Sequence, residues 1–144
     1  MKTKSVNHRK WMFGAACLAV LALAAVLGGC VLRQGKDKLQ DLEYTVASPD
    51  ELPETLAGQI EEEKAASFEL TYSDNEYLYI ARGYGVQETG GYCVSVEECY
   101  LAENAICVRT TLSGPQVGEQ VNKEPSYPYI VLKTELRDEK VVFE

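Results

Sequence analysis

The side chains that could carry chemistry are few, and their placing excludes more than it offers. His8 is the only histidine in the 144-residue chain, and it sits in the basic N-terminal stretch. The part of the chain after Cys30 therefore lacks the imidazole needed for Ser-His-Asp or Cys-His nucleophilic catalysis, and for zinc sites built on histidine. No metal site and no catalytic residue is assigned. Acids are plentiful, so a carboxylate pair for glycoside hydrolysis is not excluded by counting; nothing singles out one pair. Glu61, Glu62 and Glu63 lie together on what reads as the solvated side of a helix. Gly83-Tyr84-Gly85-Val86 has the glycines of a phosphate loop without the Lys-Ser/Thr ending or the strand-to-helix setting, and a hairpin connection accounts for it better. No cofactor is called for.

Three cysteines, Cys93, Cys99 and Cys107, need a separate reading. If a hairpin turns near Glu103, residues whose numbers add to about 206 face each other, which opposes Cys99 to Cys107. A cross-strand disulfide between them is then conceivable in an oxidising exterior, and three small, partly buried reduced thiols are the other reading.

The most pointed cysteine is Cys30. Trp11 to Leu32 is an uncharged run of 22 residues, preceded by Lys2, Lys4, Arg9 and Lys10 and followed by a polar stretch. This is the layout of a signal peptide, with an uncleaved transmembrane helix as the alternative, since ~20 apolar residues suffice to span. Leu27-Gly28-Gly29-Cys30 resembles a bacterial lipobox, in which cleavage after Gly29 leaves a diacylglyceryl thioether on Cys30. Small residues before the cut let a peptidase grip extended backbone, and only a thiolate makes the thioether. Acyl chains at ~0.8 kcal/mol per buried methylene then hold the protein on the membrane. Counting cations on the two sides of the run favours an internal N-terminus by a small margin. Either way the remainder is expected on the extracytoplasmic face, with residues 1–30 as signal or anchor.

That remainder is strongly acidic. Taking the four early cations from the 14 leaves ten against all 22 acids, a net charge of −12 after Cys30. Such a domain has no footprint for phosphate backbones, and nucleic acid is not expected as a partner. Residues 31–49 read as a flexible polar linker. Ser48 or Asp50 can open a helix carrying Leu52, Leu56 and Ile60 on one stripe to about Lys64. From Ala66 the period changes to two. Phe68, Leu70 and Tyr72 begin a strand, Ser73-Asp74-Asn75 a turn, and Tyr77–Arg82 the next strand. Thr89-Gly90-Gly91 breaks the chain before a strand from Tyr92. Glu103-Asn104 forms a hairpin tip, Ser113–Ser126 a long loop, Tyr127–Lys133 a strand with Pro128 near its start, and Val141–Phe143 a short last one. The expectation is an α+β domain over residues 50–144, mostly antiparallel, with one N-terminal amphipathic helix on a five- or six-stranded sheet.

Eight of the nine tyrosines fall between Tyr72 and Tyr129. Most suit packing along a half-buried sheet, while Tyr84 and Tyr127 near loop ends suit contact with another protein.

The stretch Tyr77–Lys133 resembles the PrcB C-terminal domain family, named for a protease-complex subunit. The residues that carry the resemblance are YLYIARGYG, then Thr89-Gly90-Gly91-Tyr92, then Pro115, then Ser126-Tyr127-Pro128-Tyr129 leading into Ile-Val-Leu-Lys. The three cysteines are no part of that pattern. The resemblance implies a non-catalytic accessory domain on a surface lipoprotein, associated with stabilising or assembling an extracellular protease, and Thr89, Gly90, Gly91, Tyr92, Tyr127, Pro128 and Tyr129 as its structural or contact residues. The expected partners are thus the membrane, through the lipid anchor or the uncleaved helix, and another exported protein, with a protease as the family's candidate. A ligand- or glycan-binding surface lipoprotein is the alternative, and a carboxylate hydrolase a third.

Overall fold

The computed structural model describes residues 37–144. Gly29, Cys30, the rest of the signal or anchor segment, and the first part of the expected linker lie outside the described residues.

Eight strands and one α-helix make up the domain: β1 (Gln40–Asp41), β2 (Thr45–Val46), α1 (Glu54–Glu63), β3 (Ser67–Ser73), β4 (Tyr77–Tyr84), β5 (Cys93–Ala102), β6 (Ala105–Ser113), β7 (Tyr129–Glu135) and β8 (Lys140–Phe143). The class is as expected, one helix with mostly antiparallel strands, although two short strands precede the helix. The single sheet is not. The strands divide into two four-stranded sheets, ordered β1-β5-β6-β8 and β2-β7-β4-β3. Leu78, Ile80 and Leu132 from one sheet meet Cys99, Ile106 and Val108 from the other, with Leu42 between, as one buried cluster. Apolar residues on both faces of β4 make this layering necessary. Leu78 to Ala81 are all buried, because the strand lies between the opposite sheet and the helix.

The helix covers the other face of the β2-β7-β4-β3 sheet. Leu56 and Ile60, four apart and fully buried, pack with Phe68, Tyr79, Ala81 and Val131. Glu61, Glu62 and Glu63 are exposed, as a solvated face requires. The helix starts at Glu54 instead of Ser48, because Leu52 precedes Pro53 and is held extended (ψ 138°). Pro49–Glu51 forms a separate 3-10 turn. There the Ser48 N–H and hydroxyl both donate to the Glu51 carboxylate, at 2.9 and 2.8 Å, which lowers the pKa of that acid.

Two more expectations are corrected. The linker assigned to 31–49 is, from Leu39 on, part of the domain. Gln40 and Asp41 pair with Leu101 and Tyr100, Thr45 and Val46 pair with Lys133 and Leu132, and Leu42 and Ala47 are buried. This segment crosses from one sheet to the other and closes one side of the core, held by Thr134 Oγ1 donating to the Glu43 carbonyl at 2.8 Å. Its composition resembles a linker because its strands are only two residues long. The last strand, β8, runs parallel to β6, the one parallel pair in an otherwise antiparallel domain.

Candidate interaction surface

The strands end in two sets of connections. At one end are short turns: Asp74–Glu76, Glu103–Asn104 and Leu136–Glu139. At the other are the long loops Gly85–Tyr92 and Gly114–Pro128, which hold the Thr89-Gly90-Gly91-Tyr92 segment and Ser126-Tyr127-Pro128, with Tyr129 opening β7.

Hydrogen bonds bring these two segments together. Gln87 and Ser126 exchange main-chain N–H to carbonyl bonds at 2.8 and 3.0 Å, forming an isolated antiparallel bridge. Ser126 Oγ donates to the Thr89 carbonyl at 2.6 Å. The Gly90 N–H donates to the Asn122 carbonyl at 2.8 Å, and the Tyr84 N–H to the Pro128 carbonyl at 3.1 Å. Gly91 has φ +85°, and a Cβ there would meet Val121 Cγ1 at 2.6 Å and Pro115 Cβ at 3.2 Å, so only glycine suits both its backbone and its neighbours. The ring of Tyr92 lies against Gly114. Each long loop thereby supplies some of the partners for the polar main chain of the other.

Side chains tie this platform to the sheets. The Tyr84 and Thr110 hydroxyls share a hydrogen bond of 2.7 Å, joining β4 of one sheet to β6 of the other. Arg82 stacks on the Tyr84 ring at 4.9 Å and pairs with Glu69 at 2.9 Å. Lys64, at the end of the helix, lies 5.1 Å from the centre of the Tyr127 ring. The Tyr129 ring sits 6.4 Å from that of Phe68, whose own ring covers Gly83 so closely that a Cβ there would clash. Tyr84 is therefore a structural bridge, whereas Tyr127 is exposed, with Val86 and Val117 exposed on the same loops. This end offers main-chain groups and scattered apolar and aromatic side chains for contact.

Reactive groups are placed elsewhere. The described residues hold no cluster of three or more His, Cys, Asp or Glu arranged around a metal position. Asp74 accepts the Glu76 and Tyr77 N–H groups at 2.8 and 2.7 Å, which lowers its pKa and keeps it ionised as a turn-former.

The Cys99–Cys107 disulfide is also corrected. In the half of the β5–β6 hairpin nearest the loops the register is the expected one, with Val94 opposite Leu112 and Val96 opposite Thr110. A β-bulge at Glu97 then shifts it by one, so Cys99 faces Val108 and Tyr100 faces Cys107. The shift turns Cys99 into the core between the sheets and leaves Cys107 on the outer face beside Tyr100, Ala102 and Ala105. All three cysteines are free thiols. Burial pushes the Cys99 thiol up to about 11, while Cys93 is exposed at the loop end of β5.

The residues that sequence reasoning missed here are Asn122 and Val121, which receive Gly90 and Gly91. A turn signal was present, since the Asn122 side chain caps the Glu124 N–H at 3.1 Å, but no local pattern names its partner across the platform.

Fold and surface together define a small β-rich domain: two packed sheets, one covering helix, and a pair of long loops locked to each other at one end. Residues 78–135 match the PrcB C-terminal family. The match runs from the start of β4 to the end of β7 and so contains both loops of the platform. No curated protein and no solved structure matches the chain.

Proposed function

We propose that the protein is a non-catalytic accessory subunit, held on the extracytoplasmic face of the membrane through an acylated Cys30, that binds another exported protein through the platform at the loop end. The observation that supports this is the meeting of Thr89–Tyr92 with Ser126–Tyr129. Segments some 35 residues apart, which carry the family resemblance, are joined by hydrogen bonds into one surface with Tyr127 exposed on it. The family's association with protease complexes makes an exported protease the first partner to test. A photo-crosslinker at Tyr127 in membranes should capture one dominant exported protein, whereas one at Glu103 should not. Equal capture of abundant background proteins from both positions would count against the reading. The anchor is tested separately: Cys30→Ser should abolish metabolic labelling by a fatty acid.

A second reading has an observation of its own. A groove of ≈ 640 Å³ lies between the Leu42–Thr45 segment and Tyr77, Lys133 and Glu135, with the Lys133 ammonium 4.0 Å from the centre of the Tyr77 ring. Tyrosines beside a cation suit a small ligand or glycan. Saturable binding of a cell-wall glycan, lost in Tyr77→Ala and kept in Tyr127→Ala, would move the function to this groove.

A further inference from the structure

The point where the chain enters the domain and the platform lie at opposite ends, and this has a consequence for how the domain stands. Leu39, whose N–H donates to the Leu101 carbonyl at 2.8 Å, is at the turn end, beside Ala102 and Ala105 of the β5–β6 tip. From there β5 runs its ten residues back to Cys93 at the loop end, a distance of about 30 Å at ~3.3 Å per residue.

Only nine residue steps separate Cys30 from Leu39. Nine steps of backbone reach at most about 31 Å. Bringing the platform down to the lipid would lift Leu39 by the length of β5, which requires the tether at its limit and so nearly all of its conformational entropy. Lying flat needs a basic face to hold anionic head groups. The described residues offer no such cluster: Lys38, Lys64, Arg82, Arg109 and Arg137 are paired with acids, Lys123, Lys133 and Lys140 are spread over a long loop, β7 and the start of β8, and the charge beyond Cys30 is strongly negative.

We infer that the domain stands on its turn end, with the Glu103–Asn104 tip toward the membrane and the platform facing outward, so that a partner is met on the side away from the lipid. This rests on the reading of Cys30 as the tether and adds to it the face that is presented.

The exposed Cys93 makes the test direct. Full-length lipidated protein is reconstituted into phosphatidylcholine–phosphatidylglycerol vesicles containing an acceptor-labelled lipid. A donor dye is placed on Cys93, or on residue 103 in Glu103→Cys with Cys93→Ser. Energy transfer to the lipid should be several-fold stronger from 103 than from 93, as a separation of ~30 Å along β5 requires. Equal transfer would mean that the domain lies flat or tumbles, and stronger transfer from 93 would mean that the loops face the membrane; either overturns the inference. Failure to sediment with the vesicles would show at once that the tether reading is wrong, before any transfer is measured.

Discussion

The two ends of this domain are built by different means. At the turn end the connections are short and held mostly by their own residues: the Asp74 carboxylate takes the N–H groups of Glu76 and Tyr77, and Glu103–Asn104 closes a two-residue tip, with a single main-chain brace from the Leu136 N–H to the Glu76 carbonyl at 3.0 Å. At the loop end local bonds, such as those within Gln116–Glu119 and Asn122–Glu124, shape single turns, and the loops are positioned by each other. Gly90 depends on Asn122, Thr89 on Ser126 and Gly91 on the space left by Val121 and Pro115. A local turn keeps its shape when distant residues change, whereas a cross-braced platform fails as a unit. Such a surface is suited to recognition, because its shape is fixed by the same contacts that hold the loops.

The comparison can be broken most severely at Gly91. Gly91→Ala combines a positive φ with a close approach to Val121, and should destabilise the protein by about 2–4 kcal/mol, measured by chemical denaturation. It should also abolish partner capture through Tyr127. Gly118 has nearly the same φ, +86°, but open space around it. Gly118→Ala should therefore cost only about 1–2 kcal/mol; equal losses at the two sites would show that packing across the platform contributes nothing. Ser126→Ala should cost about 1 kcal/mol. Its sharper signature is hydrogen exchange, with faster exchange of the Gln87 and Gly90 amides and none at the turn end.

The smallest effect belongs to the turn end. The pKa of Asp74 is lowered in the folded state, so its contribution is present above the ordinary carboxylate range and is lost as pH falls through the folded value. Asp74→Ala should remove that part of the acid dependence of the melting temperature and leave Tyr127 capture unchanged. A loss of capture would mean that the ends are not independent. Between the ends, alkylation reads the register. Cys93 should react in the native protein, and Cys99 and Cys107 only after unfolding, while a resistant pair after unfolding without reductant would restore the disulfide.

What could be read from the residues is what neighbours in sequence enforce. The Leu56–Ile60 stripe, the change to period two at Ala66, the Asp74 turn and the Glu103–Asn104 tip all follow from spacing and turn chemistry. The motif segments were legible as a family resemblance, and the match over residues 78–135 agrees with it closely. The bulge at Glu97 was not legible. Val96 packs against the core, and beyond the bulge Cys99 and Leu101 do, so a reader who carries the alternation through assigns Cys99 to the wrong face.

By itself, then, the sequence determined the longer elements from the helix onward, the acidic charge and the absence of histidine beyond position 8. Only the tertiary structure decided that the strands form two sheets, that Leu39–Ala47 belongs to the fold, that Cys99 and Cys107 are parted, and that the two motif segments meet. The reason is physical. Helix stripes and tight turns are written within a few residues, but a two-residue strand, a bulge and a loop braced against another loop are stabilised by partners far along the chain, and local pattern carries no record of them.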